Sequence, residues 1–97
     1  MTTSKKFKLG KIVSTNGVYQ MMKEDPKFSQ FVYKSFTRHC NGDWGDLCEE
    51  DKTMNEAALR NGYDRLFSRY NYKDDISIYI ITEWDRSATT ILFPSEY

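Results

Sequence analysis

The densest run of chemically capable side chains is His39-Cys40-Asn41-Gly42-Asp43-Trp44-Gly45-Asp46, continued by Glu49, Glu50 and Asp51. A second polar run, Thr82-Glu83-Trp84-Asp85-Arg86-Ser87, closes an apolar segment near the end of the chain. In a compact fold the two runs could meet. Four kinds of chemistry are then open to them.

The first is metal binding. His39, Cys40, Asp43 and Cys48 are ligand types, but zinc sites pair Cys or His at spacings of about two to five residues. Here the cysteines stand eight apart and the single His adjoins one of them. A hard-cation site from Asp43, Asp46 and Glu83 has better donor types, yet the pattern is not an EF-hand loop. The second is acid/base work by Glu83 with Asp46 or Glu50, which requires burial to raise one pKa and not the other. The third is a thiol nucleophile at Cys40. Adjacent residues on a helix point about 100° apart, so His39 cannot serve Cys40 within one helix. Small core residues are the plainer reading of both cysteines. The fourth is structural: Arg86 between Asp85 and Glu83, with Asp43 and Asp46 nearby, would pin a loop over a sheet by charge-assisted bonds. Trp44 and Trp84 would shield that network, whereas an exposed Trp would mark a binding surface. The fourth reading explains the cluster best, and no cofactor or resident metal is expected. The candidate residues for binding or bracing are Asp43, Trp44, Asp46, Glu49, Glu83, Trp84, Asp85 and Arg86.

The elements that must position these residues are legible from local signals. Residues 1–6 are polar and expected to be a disordered arm, leaving 7–97 as a single α+β domain. Phe7 to Val13 reads as a short strand that Gly10 weakens. Ser14, Thr15 and Asn16 are good caps for a short helix over Val18 to Lys23, which must stop near Asp25 because Pro26 follows. Asp25-Pro26 itself starts a helix. Phe28, Phe31, Val32, Ser35 and Phe36 fall on one face of it, and Asn41-Gly42 ends it. Asp46 and Glu49 resemble a capping box for a helix from Leu47 to about Asn61, burying Leu47, Met54, Ala58 and Leu59, with Gly62 as its C-terminal cap. Leu66 to Tyr72, Ile76 to Glu83 and Thr89 to Phe93 are rich in β-branched and aromatic residues and read as an antiparallel meander. Its turns fall at Lys73-Asp74-Asp75 and Asp85-Arg86-Ser87. Helices first and strands last give about three helices packed on one face of a three- to four-stranded antiparallel sheet.

Composition bounds the function. The chain has 97 residues, with seven Tyr, six Phe and two Trp to build a core. Fourteen basic residues balance fourteen acidic ones, which disfavours a dedicated nucleic-acid binder. The local excess Lys5, Lys6, Lys8 and Lys11 reads as a solvated arm, or as a weak nucleic-acid contact. No apolar run approaches the ~20 residues of a membrane span, and Met1 to Lys11 lack the apolar stretch of a secretory leader. A cytoplasmic protein with reduced thiols is the expectation, with no membrane partner.

Several runs carry a resemblance. Residues Gly42 to Asp51, Asn55, Ala58-Leu59, Gly62, Arg65-Leu66, Ile80 to Glu83, Asp85 to Pro94 and Glu96-Tyr97 look like a family of small bacterial proteins. Its members are often labelled plasmid-related proteins and sit on mobile genetic elements and phages. The likeness covers about residues 39–97, and the runs GDWGDL and TEWDRSATTILFP are unusual enough to be specific. The family commonly has a non-aromatic residue where Trp84 stands here. The resemblance implies a genomic setting more than an activity, and brings no catalytic residue with it. Mobile-element proteins of this size often bind a host or defence protein. The expected function is therefore a non-enzymatic interaction factor, such as an inhibitor of a CRISPR or restriction nuclease. A small metal-dependent enzyme using the acidic cluster is the alternative.

Overall fold

Two of the helix starts written into the sequence form as the local chemistry dictates. In the computed structural model, which describes residues 6–62 and 64–97, Asp25 is extended and its carboxylate accepts from the backbone N–H of Lys27 and Phe28. Pro26 then opens helix α2, Pro26–Cys40. Thr15 caps α1, Asn16–Glu24, by accepting from the Val18 N–H. Gly62 closes α3, Glu49–Asn61, in the left-handed conformation. The strands are β1 Lys11–Ser14, β2 Leu66–Asn71, β3 Ser77–Thr82 and β4 Ala88–Leu92, followed by a 3-10 turn, Pro94–Glu96.

The four strands form one sheet in the order β1-β4-β3-β2. The β2–β3 and β3–β4 pairs are antiparallel, as the meander requires. β1 pairs parallel with β4, Ile12 opposite Thr89 and Ser14 opposite Ile91. The fold is thus α+β with a mostly antiparallel sheet, and the expectation of a wholly antiparallel one is corrected at this pair. The first strand is also shorter than the expected Phe7 to Val13. Gly10 has φ 65°, and a Cβ there would lie 2.3 Å from the Ser87 carbonyl, so the chain bends against the β3–β4 turn before it can pair. The Lys5 end of the expected arm lies outside the described residues, and Lys6 is exposed.

One face of the sheet meets the helices and carries two apolar clusters. Val18, Phe28, Val32, Tyr70, Ile78, Ile80 and Ile91 form the larger. Trp44, Ala58 and Leu66 form the smaller, with Phe7, Leu47 and Leu59 against it. The α2 stripe behaves as its spacing predicts: Phe28, Val32 and Ser35 are buried, and Phe31 and Phe36 pack beside them. Helix α3 departs from expectation twice. It begins at Glu49 with Cys48 as its N-cap and no side-chain cap, and it buries Asn55 while Met54 is 69% exposed. Among the described residues no helix is long and apolar enough to cross a membrane.

Candidate functional site

The GDWGD run is a brace along the outer edge of β2. Gly45 forms a parallel bridge to Arg69. The Arg69 N–H donates to the Trp44 carbonyl at 3.3 Å, the Asp46 N–H donates to the Arg69 carbonyl at 2.7 Å, and the Asp46 carboxylate accepts from the Asn71 N–H at 2.9 Å. That last bond removes Asp46 from the helix it was expected to cap, and Glu49 instead lies 3.8 Å from Lys52. The capping-box reading is therefore corrected: an Asp three residues before a Glu serves an edge strand here. Gly45 has φ 76°, and a Cβ on it would sit 2.0 Å from the Arg69 carbonyl oxygen. Only glycine allows this approach.

Asp43 organises the start of the brace. Arg38 donates to both its oxygens, at 2.7 and 3.2 Å, and the Gly45 N–H donates at 3.1 Å. The Arg38 bond holds the Asp43 carboxyl below its usual range, and the same pair raises the guanidinium. Both side chains are about half exposed, so this pair adds little stability and acts by geometry. The Tyr70 hydroxyl donates to the Asp43 carbonyl at 2.6 Å, and Arg38 lies over the Tyr70 ring. Trp44 is buried and donates its indole N–H to Glu56 at 2.7 Å.

Asn55 completes the seal one step along the edge. Its side chain donates to the Phe67 carbonyl at 2.6 Å and accepts from the Phe67 N–H at 3.0 Å. A primary amide offers the donor and acceptor of one extended residue, so it substitutes for a neighbouring strand. The N–H and C=O of Phe67 and Arg69, and the N–H of Asn71, are thus occupied on the side away from β3.

The second polar run is a separate device at the opposite end of β2. Thr82 pairs with Leu66, whereas the Asp46 contact is at Asn71, about 17 Å along the strand at ~3.3 Å per residue. The expected meeting of Asp43 and Asp46 with Glu83, Asp85 and Arg86 does not occur. Arg86 has φ 60° and binds backbone carbonyls rather than carboxylates: Asp64, Glu83 and Trp84 through one nitrogen, and Ala58 through the other. It ties the β3–β4 turn to the end of α3. Asp85 accepts from the Ser87 N–H at 3.0 Å, and its Ser87 hydrogen bonds lower its pKa. Trp84 is 62% exposed and shields nothing.

The single His has a role that its neighbour Cys40 does not share. His39 is fully buried, edge-on to Phe7 and Trp44 of the smaller apolar cluster. Its Nδ1 meets the Ser68 hydroxyl at 2.5 Å and its Nε2 meets the Thr82 hydroxyl at 2.9 Å. Thr82 in turn meets Thr89 at 2.8 Å, and Thr89 donates to the Leu9 carbonyl at 2.7 Å. A hydroxyl has one proton to give, so the terminal carbonyl sets the direction of the whole chain. Thr82 donates to Thr89, the His39 Nε2–H donates to Thr82, and Ser68 donates to Nδ1. The imidazole is neutral; burial lowers its pKa to about 3. The Ser68–His39 pair has the look of a nucleophile and its base, but both residues are inaccessible and the far nitrogen is occupied as a donor. The chain fastens Leu9, α2 and three strands together. Cys40 is buried, with its thiol pKa raised by burial, and Cys48 is exposed. Among the described residues, no three His, Cys, Asp or Glu side chains converge as a metal site.

What remains open is the other edge. The Lys11 and Thr15 N–H groups bond to β4, at Ser87 and Ile91. Strand alternation then points the N–H and C=O groups of Ile12 and Ser14 outward. No described segment pairs with that side of β1. Beside it runs a groove of about 490 Å³ lined by Ile12, Val13, Met22, Val32, Tyr33 and Phe36. Ile12 is 46% exposed and Tyr33 65%.

Asn55, Ser68 and the β1 edge were not singled out by sequence reasoning. For Asn55 a signal existed, a polar residue one turn before Ala58 on the helix face that packs on the sheet. Compared with known proteins, the chain matches no family model, no curated sequence and no solved structure.

Proposed function

We propose that this protein is a non-enzymatic protein-interaction factor, acting in the cytoplasm as a counter-defence inhibitor that binds a host CRISPR or restriction component. The observation that carries the binding part is the asymmetry of the sheet. One edge is sealed by Gly45, Asp46 and Asn55, and the other is open beside an apolar groove. An open edge is a template for another chain, and folded proteins ordinarily blunt such edges. The polar side chains that first suggest catalysis support the same reading. Asp43, Asp46, Arg86 and His39 each hold backbone or buried hydroxyl groups within the fold. The counter-defence role rests on the resemblance of residues 39–97 to mobile-element proteins.

The test is affinity purification of the tagged protein from bacteria carrying active CRISPR or restriction systems, with phage plating on the same cells. The reading expects a stoichiometric complex with one defence component and restored plating. Absence of any complex, together with metal-dependent turnover by the pure protein, would refute it.

A further inference from the structure

The groove and the open edge have a charge as well as a shape. Residues 6–42, which hold β1, α1 and α2, carry seven Lys or Arg against two Asp or Glu. Residues 43–97 carry six against twelve. The balanced total therefore hides two halves of opposite sign, and the open edge belongs to the basic half. Lys11 opens β1 and Lys8 precedes it, and Lys34 and Arg38 join Tyr33 and Thr37 in lining the next hollow along α2. Glu96, which meets the chain just after β1, is already bonded to the Thr15 hydroxyl and the Phe93 N–H.

The geometry points to an acidic, extended segment of a partner protein as the occupant of this edge. Resting on the protein-binding reading above, the segment adds as a fifth strand outside β1. It exchanges main-chain hydrogen bonds with Ile12 and Ser14, which supply affinity without regard to sequence. Ile12 and Ser14 pair with Thr89 and Ile91, whose side chains point toward the helices. Residues of the added strand opposite them therefore face Met22, Tyr33 and Phe36 and must be apolar, on every second position. Its flanks are Asp and Glu, which meet the surrounding lysines and speed encounter. A second copy of this chain fits less well. Two β1 edges together would bring their own lysines to one seam, and like charges on neighbouring strands repel. The acidic half of a second copy offers a sealed edge instead.

The test uses the full chain and two synthetic peptides, EDVTITVDE and its charge-inverted counterpart KKVTITVKK, read by amide chemical shifts and fluorescence anisotropy. The acidic peptide is expected to shift the Ile12 and Ser14 amides. It should bind at least about 10-fold more tightly than the basic one at low salt, with the difference shrinking as salt screens it. Ser14→Pro removes an outward N–H at an edge, where proline is tolerated, and should weaken binding at least about 10-fold. An acidic peptide N-methylated at alternate amides should lose binding to the unaltered chain, which covers the case of a Ser14→Pro chain that folds poorly. Lys11→Glu with Lys34→Glu should reverse the preference. No binding, equal binding of the two peptides, or shifts centred on Phe67 and Tyr79 instead would overturn the proposal. So would a dimer in sedimentation that Ser14→Pro dissolves. A defence protein that co-purifies equally with the Ser14→Pro chain would sink this inference and leave the protein-binding reading standing. The lack of any co-purifying partner would sink that reading itself.

Discussion

Acidification should destabilise this protein before its carboxylates protonate. His39 has a folded pKa of about 3 and an ordinary value of 6.5. The folded state therefore binds fewer protons than the unfolded state between those values. Stability is complete above about pH 6.5 and is lost as pH falls toward 3, at about 1.4 kcal/mol per pH unit. Between pH 7 and 5 the loss integrates to about 2 kcal/mol, which lowers the melting temperature of a domain this size by roughly 8–15 °C. His39 is the only histidine, so this window is nearly its own. The perturbed carboxyls of Asp43, Asp85 and Glu96 are shifted downward from 3.8 or 4.5 and contribute at lower pH. Urea unfolding followed by Trp44 fluorescence at half-unit steps from pH 7.5 to 5 measures the slope. Long-range nitrogen spectra of the imidazole give its titration and tautomer directly. His39→Gln keeps one donor and one acceptor; it should be less stable at pH 7 and should lose the slope. An imidazole titrating near 6.5, a flat stability profile, or a proton on Nδ1 would each refute the hydroxyl–imidazole chain.

Four further outcomes are expected. Gly45→Ala should cost about 3 kcal/mol or more in urea unfolding, from left-handed strain plus the hydrogen bonds lost when the loop leaves Arg69. Asn55→Ala should cost about 1–3 kcal/mol by leaving the Phe67 N–H and C=O unpaired. Asn55→Asp faces a carboxylate with the Phe67 carbonyl, which raises its folded pKa, so below that raised value this variant should lose less stability per pH unit than the unaltered chain. Asp74→Asn with Asp75→Gly should raise stability by about 1 kcal/mol. These residues have φ 52° and 63° in a tight turn, closed by the Ile76 N–H on the Lys73 carbonyl, that prefers Asn-Gly. Magnesium, manganese, calcium or zinc should leave the melting temperature within error, since Asp46 and Arg86 act at opposite ends of β2.

Local signals were legible and nonlocal ones were not. Asp25-Pro26, Gly62 and the two strand turns act on residues within three or four positions, so their chemistry can be read in order along the chain. Asp46 shows the limit. Its carboxylate accepts from a backbone N–H whether that N–H lies three residues ahead or on Asn71, and the residue spacing is the same in both cases. Asn55 and Met54 were exchanged for a related reason. Hydropathy favours burying Met54, but α3 packs against a strand edge whose open groups an amide can satisfy and a thioether cannot. The ion network expected around Arg86 does not form; Arg86 ties its turn down through backbone carbonyls, which no pattern of neighbouring acids signals. The His39 chain draws on Leu9, Ser68, Thr82 and Thr89, four positions that no spacing rule connects.

The sealed β2 edge has a consequence for stoichiometry. A sheet polymerises only if each added unit presents a fresh edge to the next. Here any strand accepted at β1 leaves the far side closed by Gly45, Asp46 and Asn55, so this chain behaves as a terminator rather than a link. It can hold one extended segment and cannot pass the register onward. Even at high concentration its complexes should stop at a fixed size, and opening the seal, as Gly45→Ala would, should turn a finite complex into an aggregating one.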